Sequence, residues 1–211
     1  IPVTPFSQNC SLLICETTKK AALVDPGGDI DRIFDVIKEE SITVEKILLT
    51  HGHLDHCGAS KQIRDQLNIS IEGPHKDDQF WIDQLEEQSK QFGLPNASSF
   101  IPDRYLNDNE IVEFGTIKLL VKHCPGHTPG HVIFFSPEEK IAIVGDVLFS
   151  GSIGRTDFPR GDYDTLIEAI TTKMWPLGND VTFFPGHGPT STFGIERQTN
   201  PYVGDFVTGI H

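Results

Sequence analysis

Residues Thr50-His51-Gly52-His53-Leu54-Asp55-His56 place three imidazoles and one carboxylate within seven consecutive positions. The stretch follows Lys46-Ile-Leu-Leu-Thr50, an apolar run of strand character, and precedes a helical pattern from Ala59, so it is predicted to form a strand-to-helix loop. Sheets of the α/β class carry their chemistry at such strand ends. Imidazole is the commonest ligand of borderline divalent metals, and a carboxylate among several histidines suits zinc, iron or manganese rather than calcium. A loop of solvated histidines explains one His-x-His as well as a metal does; it does not explain His-x-His-x-Asp-His.

Around this stretch the composition is that of an ordinary globular chain: 211 residues, 37% hydrophobic and 22% charged, enough for one sizeable core and one domain over residues 1–211. No apolar run approaches the roughly 20 residues a membrane-spanning helix needs, and no charged start leads into an apolar signal region. The sequence opens on Ile1 rather than Met, which leaves room for upstream residues, a removed targeting segment included. A formal charge of −13 argues against nucleic acid or an anionic membrane as partner, and bound cations would cancel part of it. The four cysteines, Cys10, Cys15, Cys57 and Cys124, show no Cys-x-x-Cys spacing and are too few for a disulfide scaffold, so a reducing, cytoplasmic home is expected. Cys57 and Cys124 stand close to metal-motif histidines; soft ligation and simple buried thiols are both open to them. The oligomeric state stays open, a monomer included.

Strand and helix patterns alternate along the chain. Ser11 to Cys15 and Ala21 to Val24 suggest a hairpin that Asp25-Pro-Gly-Gly28 ends sharply, and Ile30, Ile33, Phe34 and Ile37 give helical spacing over Asp29 to Glu40. A strand over Ile47 to Thr50, a helix over Ala59 to Leu67 and a strand over Ile69 to Ile71 follow. One helix is predicted over Lys76 to Phe92, with Phe80, Trp81 and Leu85 on its apolar side and Gly93 and Pro95 ending it. After a loop to Asn109, Ile111 to Phe114 and Ile117 to Lys122 read as a hairpin around Gly115. Strands at Val132 to Phe135 and Ile141 to Val144, a helix over Tyr163 to Met174 and a strand at Val181 to Phe184 complete two strand-rich halves, each accompanied by helices.

Further metal candidates lie at strand ends of the second half. Cys124-Pro-Gly-His127-Thr-Pro-Gly-His131 is locked by glycine and proline, which favours His127 as a ligand and His131 as a partner that orients the loop from behind. Ile143-Val-Gly-Asp146 ends one strand with a carboxylate and Phe184-Pro-Gly-His187 ends another with an imidazole. Singly, such residues are more often turn or cap formers.

As an ordered set, His51, His53, Asp55, His56, His127, Asp146 and His187 resemble the metal motifs of the metallo-β-lactamase superfamily, and Asp25, in Val24-Asp-Pro-Gly-Gly28, resembles the carboxylate that braces its metal loop. The resemblance covers about residues 10 to 190 and implies an α/β fold, a four-layer αββα sandwich with the metal site at one edge between the sheets. Ser7-Gln-Asn-Cys10, Asp25-Pro-Gly-Gly28 and Gly154-Arg-Thr-Asp-Phe158 are most similar to short bacterial proteins of the hydroxyacylglutathione hydrolase (glyoxalase II) group. That similarity implies two divalent metal ions, zinc first and iron or manganese as alternatives. His51, His53 and His127 would hold one ion, Asp55, His56 and His187 the other, and Asp146 would bridge them. The implied activity is hydrolysis of a small thioester, S-(2-hydroxyacyl)glutathione in the first place, by a metal-bridging hydroxide whose proton Asp55 orients or takes. A penicillin-type substrate is not implied, because the best-known zinc β-lactamases carry a different second-site ligand set.

Two departures bear on the substrate. Full-length glyoxalase II enzymes carry a C-terminal helical domain that grips glutathione, whereas 24 residues follow His187 here. The family's basic position after the bridging Asp is Arg155, with Arg160 as a second candidate, while the nearby aromatic is replaced by Asp157. Arg155 either holds a substrate carboxylate or pairs with Asp157 or Asp162. The Gly-Arg-Thr-Asp-Phe wording also resembles persulfide dioxygenases of the same fold, which use one iron bound by two His and one Asp. An iron dioxygenase and a non-enzymatic metal-binding module are therefore the alternatives to the hydrolase.

Overall fold

Several strands of this chain read as unbroken apolar runs, and the computed structural model, which describes residues 1–94 and 97–209, shows that both of their faces are covered. β1 (Pro2–Val3) and β2 (Gln8–Asn9) form a small hairpin, and the expected pair β3 (Ser11–Cys15) and β4 (Lys20–Val24) follows, antiparallel with Cys15 opposite Lys20. α1 (Ile30–Glu39) starts one residue later than the spacing predicts, because Asp29 lies in the left-handed region (φ 49°) and turns its carboxylate to the Thr4 N–H at 2.7 Å. β5 (Thr43–Leu48) runs parallel to β4 and stops short of the predicted Thr50, whose N–H donates to the Asp25 carboxylate (2.8 Å) instead of to a strand. α2 (Leu54–Cys57) is a helical turn where the sequence predicts loop, and it carries Asp55 and His56. α3 (Ser60–Leu67) and β6 (Ser70–Glu72) follow within a residue of their expected bounds.

The helix predicted over Lys76 to Phe92 is broken. A 3₁₀ turn over Lys76–Asp78 leads into α4 (Gln79–Ile82), and α5 (Leu85–Phe92) starts afresh. At the break Ser99 Oγ donates to the Asp83 carbonyl (3.0 Å) and Gln88 Nε2 to that of Trp81 (3.3 Å), so that Trp81, Ile82 and Leu85 all turn inward. Gly93 closes α5 at φ 65°, as expected; Pro95 lies outside the described residues.

In the second half β7 (Ile111–Phe114) and β8 (Ile117–His123) form the predicted hairpin, with Gly115 at a φ of 54° that a side chain would strain. β9 (Val132–Ser136) pairs antiparallel with β10 (Ile141–Gly145), and β11 (Leu148–Phe149) with β12 (Ser152–Ile153). α6 (Tyr163–Ala169) covers only the start of the helix predicted to reach Met174; Ile170–Met174 winds as a π-helix and Trp175–Leu177 as a 3₁₀ turn. The hydroxyls of Thr171 and Thr172 donate back to the carbonyls of Ile167 and Glu168 (2.8 and 2.7 Å), competing with the backbone ladder where the coil widens. β13 (Thr182–Pro185), β14 (Ser191–Thr192), α7 (Phe193–Thr199) and α8 (Asp205–Thr208) end the described chain.

The strands form a four-stranded sheet, β3-β4-β5-β6, facing a six-stranded one, β14-β13-β10-β9-β8-β7. Alternation sorts each strand between layers: in β4, Ala22 and Val24 meet Phe114, Val121 and Phe134 between the sheets, while Ala21 and Leu23 pack outward with Ile33 of α1 and Ile63 of α3. β9 does the same, sending Val132 and Phe134 inward and Ile133 and Phe135 toward Leu166 and Ile170. Helices therefore cover both outer faces, which is the expected αββα sandwich. Among the described residues no helix is long and apolar enough to cross a membrane.

Candidate metal centre

β4 and β5 run parallel, and so do β10 and β13; β8, two antiparallel steps from β10, shares their direction. The segments carrying Asp25, His51 to His56, His127, Asp146 and His187 all leave the C-terminal ends of these strands. Both sheets thus deliver their polar residues to one edge, where two groups of side chains gather.

In the first group His51 Nε2 lies 3.0 Å and His127 Nε2 3.1 Å from His53 Nδ1. His51 and His127 turn these nitrogens inward because their opposite ring positions are engaged, whereas His53 Nε2 is buried without a hydrogen-bond partner. His127 Nδ1 donates to the Arg155 carbonyl (2.7 Å), and His51 Nδ1 meets the Thr50 hydroxyl (3.0 Å), which itself donates to Asp25 (2.6 Å). Burial, reinforced by neighbouring imidazoles, pulls His51 well below its ordinary pKa and His53 to about 3, and burial lowers His127 as well. All three are neutral and have lone pairs to offer.

In the second group His187 Nε2 lies 3.1 Å and His56 Nε2 3.8 Å from Asp55 Oδ2. Here too the outer nitrogens are engaged, His56 Nδ1 with Asp25 (2.9 Å) and His187 Nδ1 with the Phe6 carbonyl (3.2 Å). Asp146 stands between the groups: Oδ2 is 3.7 Å from both His127 Nε2 and His187 Nε2, and Oδ1 is 3.4 Å from His56 Nε2. Burial alone would raise Asp146, but His56, His127 and His187 hold it far below the usual carboxylate range. Burial likewise pulls His56 down, and Asp146 and Asp55 outweigh it and leave it raised. Gly186 makes the approach possible, since a Cβ there would fall 2.2 Å from Asp146 Oδ1.

The donor set fits divalent cations. Asp146 Oδ1 and His56 Nε2 are buried without a hydrogen-bond partner, a costly state unless something positive joins them, and three neutral imidazoles converge beside them. Mixed imidazole and carboxylate donors suit zinc, iron or manganese. A third close group, Asp25 with His51 and His56, is different: both Asp25 oxygens are already engaged, accepting from Thr50 N, Thr50 Oγ1 and His56 Nδ1.

Behind the centre, His131 is buried, stacks on His51 at 4.6 Å and accepts from the Asp146 N–H at 3.0 Å. Asp78 escapes the sequence reading. It is fully buried and accepts from Gly52 N (2.9 Å), Gly130 N (2.5 Å) and Thr128 Oγ1 (2.7 Å), tying the His51–His53 loop to the His127 loop. In sequence it is one acid in Lys76-Asp-Asp78, which looks like a solvated first turn, and nothing local marks it. Glu196 is equally hidden, accepting from Gly151 N, Ser191 Oγ and Asn200 Nδ2 and so anchoring the β11–β12 hairpin that leaves Asp146. At the other end Asn9 holds the His187 loop, its side chain donating to the carbonyls of Pro185 and Gly188.

Cys57 and Cys124 stay out of the cluster. Cys57 Sγ donates to the His53 carbonyl (3.1 Å), and Cys124 packs in the outer core with Leu166. Arg155 makes a two-pronged pair with Asp157 (2.9 and 2.8 Å) and lies over the Phe158 ring at 4.5 Å; Asp162 instead caps α6 through Thr165 N. Arg160 lies over Phe80 at 4.2 Å, and among the described residues no carboxylate is within 4 Å of it. Phe158, Trp81 and Phe80 form a continuous aromatic wall beside His53, so both guanidiniums sit on its ends.

Known proteins share the family and the architecture of this chain. The Metallo-beta-lactamase superfamily model matches residues 3–187. The hydroxyacylglutathione hydrolase GloC of Haemophilus influenzae is 48% identical over 204 residues, covering 96% of each chain. Among solved structures, the B3 metallo-β-lactamase BLEG-1 superposes with a TM-score of 0.88 at 36% identity over 96% of this chain and 97% of its own. TTHA1623 in a di-iron-bound form gives 0.87 at 31%, over 96% and 98%.

Proposed function

The chain belongs to the metallo-β-lactamase superfamily, and from that premise we propose that it hydrolyses S-(2-hydroxyacyl)glutathione or a close thioester with two metal ions. The observation that carries this reading is Asp146 standing 3.7 Å from both His127 and His187, between two complete donor groups. His51, His53 and His127 would hold one ion, Asp55, His56 and His187 the other, with Asp146 shared. Bound there, two divalent cations supply the Lewis acidity that makes water an attacking group at neutral pH and polarises the thioester carbonyl. Zinc is the first choice; the di-iron form of TTHA1623 supports iron as well.

The chain's own residues do the rest. Thr50, the Arg155 carbonyl, Asp25 and the Phe6 carbonyl fix the tautomers of His51, His127, His56 and His187, so that each presents a lone pair inward. Asp55, on the more exposed side of the cluster, takes the proton of the attacking water. Asp25 and His131 act from behind, one bracing the metal loop and the other locating Asp146. The glutathione carboxylates need cations on a chain of charge −13. Arg160, with no carboxylate within 4 Å among the described residues, serves first, and Arg155, already paired with Asp157, serves second. Four free cysteines support a reducing, cytoplasmic setting.

The test is metal counting on protein purified without added metal, together with thiol release from S-lactoylglutathione. Two ions per chain and thioester hydrolysis are expected. Arg160→Ala should raise KM roughly tenfold, the loss of a charge-assisted contact, with a smaller effect from Arg155→Ala. A protein with one iron that consumes dioxygen with glutathione persulfide, or one that opens a β-lactam as BLEG-1 suggests and spares the thioester, overturns the reading.

A further inference from the structure

His51, His56, His127 and His187 are each held from behind by a hydrogen bond at the ring nitrogen that faces away from the cluster, with Thr50, Asp25, the Arg155 carbonyl and the Phe6 carbonyl as partners. His53 is the exception. Its Nδ1 faces His51 and His127, and its Nε2 is buried without a hydrogen-bond partner. Something other than a hydrogen bond must therefore aim this ring. Two aromatic rings touch it in T-shaped contacts, Trp81 at 4.6 Å and Phe158 at 4.9 Å.

Trp81 belongs to a short segment wedged between two metal loops. The segment opens at Asp78, whose carboxylate accepts from Gly52 N, between His51 and His53, and from Thr128 Oγ1 and Gly130 N, just after His127. Backbone bonds add to the grip: His75 N donates to the Gly130 carbonyl and Asp78 N to that of His75, both at 3.1 Å. The fit depends on two residues without side chains. A Cβ on Gly52 would fall 2.8 Å from Trp81 Cβ and 2.9 Å from the Asp78 carbonyl oxygen, and one on Gly130 would fall 2.5 Å from Asp78 N. Gly52 comes from the four-stranded sheet's side and Thr128 from the six-stranded one's, so a single buried carboxylate spans the gap across which His51 and His53 meet His127. None of its hydrogen bonds reaches Asp55, His56, His187 or the groups that hold their rings.

We propose that Asp78 is a positioning residue for the three-imidazole site: it sets the separation of the His51–His53 and His127 loops and seats Trp81 against His53, in place of the hydrogen bond that this ring lacks. It does so for one ion and not for the other. This rests on the two-metal reading above. The experiment measures zinc affinity, by competition with a chelator, for Asp78→Asn in two backgrounds: His187→Gln, which leaves the three-imidazole group whole, and His53→Gln, which leaves Asp55, His56 and His187. Asparagine keeps the shape and turns one acceptor oxygen into an amino group facing a backbone N–H. Asp78→Asn should weaken zinc roughly 10–100-fold in the first background, as loss of outer support to metal ligands does, and by less than about twofold in the second. Thr128→Val, which removes one donor and leaves the carboxylate, should show the same preference on a smaller scale, and it decides the matter where Asp78→Asn does not fold. Urea unfolding of the metal-free proteins is the other arm. A lower midpoint with both zinc affinities unmoved makes Asp78 a structural acceptor alone and overturns the proposal, as does equal weakening in the two backgrounds. A wild type that holds a single zinc, with that affinity still lowered by Asp78→Asn, overturns the two-metal reading and leaves the positioning role standing.

Discussion

The Asp146 carboxylate stands within 4 Å of imidazoles from both groups, so its charge couples them. Asparagine keeps the shape and removes the charge. Asp146→Asn should lower the metal content from two ions per chain to one or none and cut turnover roughly a hundredfold or more, as checked by elemental analysis and steady-state kinetics on one preparation. Asp25 answers to a different measurement. Its carboxylate receives two donors from Thr50 and one from His56, all buried, and Asp25→Ala leaves them without acceptors. The expected cost is about 3 kcal/mol of stability, read from the urea midpoint, even in metal-free protein. Asp25→Asn, which retains one acceptor oxygen, should lose less.

At the scale of elements, α7 acts as a brace. Glu196 on this helix accepts from Gly151 N, and Asn200 just after it donates to the Ser152 carbonyl, so the C-terminal segment grips the hairpin that leads from Asp146 to Arg155. Glu196→Ala should cost about 2–4 kcal/mol and speed hydrogen exchange at the Gly151 amide before the rest of the molecule loosens. The segment before β7 responds to pH. Hydrogen bonds from Asn107 and then Arg104 hold Glu110 below its ordinary carboxylate pKa. A depressed folded pKa means a contribution present above the unfolded pKa and lost as pH falls through the folded one. The stability difference between wild type and Glu110→Gln, small because the group is exposed, should therefore be present at pH 7 and vanish in strong acid.

For the whole molecule, the centre is also a fastener between the two sheets. His51 to His56 come from the four-stranded sheet, and His127, Asp146 and His187 from the six-stranded one. A cation held by both halves stabilises the folded state by mass action, about 4 kcal/mol at a free concentration a thousand times Kd. Removing the metal with a chelator should lower Tm by roughly 10 °C in a chain of this size, and restoring zinc should recover it.

How far this chain could be read without coordinates follows from the range of the forces involved. Thr50 to His56 and the strand-end residues His127, Asp146 and His187 were legible because their residue types are unusual and the elements before them show short-range periodicity. The hairpins at Ser11–Val24 and Ile111–His123 were legible for the same reason. The break at Asp83-Gln84 and the π-turn at Ile170–Met174 were not, since helical spacing continues through both and only side-chain donors competing for backbone carbonyls interrupt the coil. Asp78 and Glu196 read as solvated acids and are buried acceptors of three donors each. The sequence by itself carried the ordered motif residues whose resemblance to the metallo-β-lactamase superfamily implied the layered sandwich and its edge site, because residue types and their order are written in the chain. Only the tertiary structure decided which nitrogen each histidine turns inward, which acids lose their water and which arginine stays free, because those depend on partners up to 181 positions away, as His187 and the Phe6 carbonyl are.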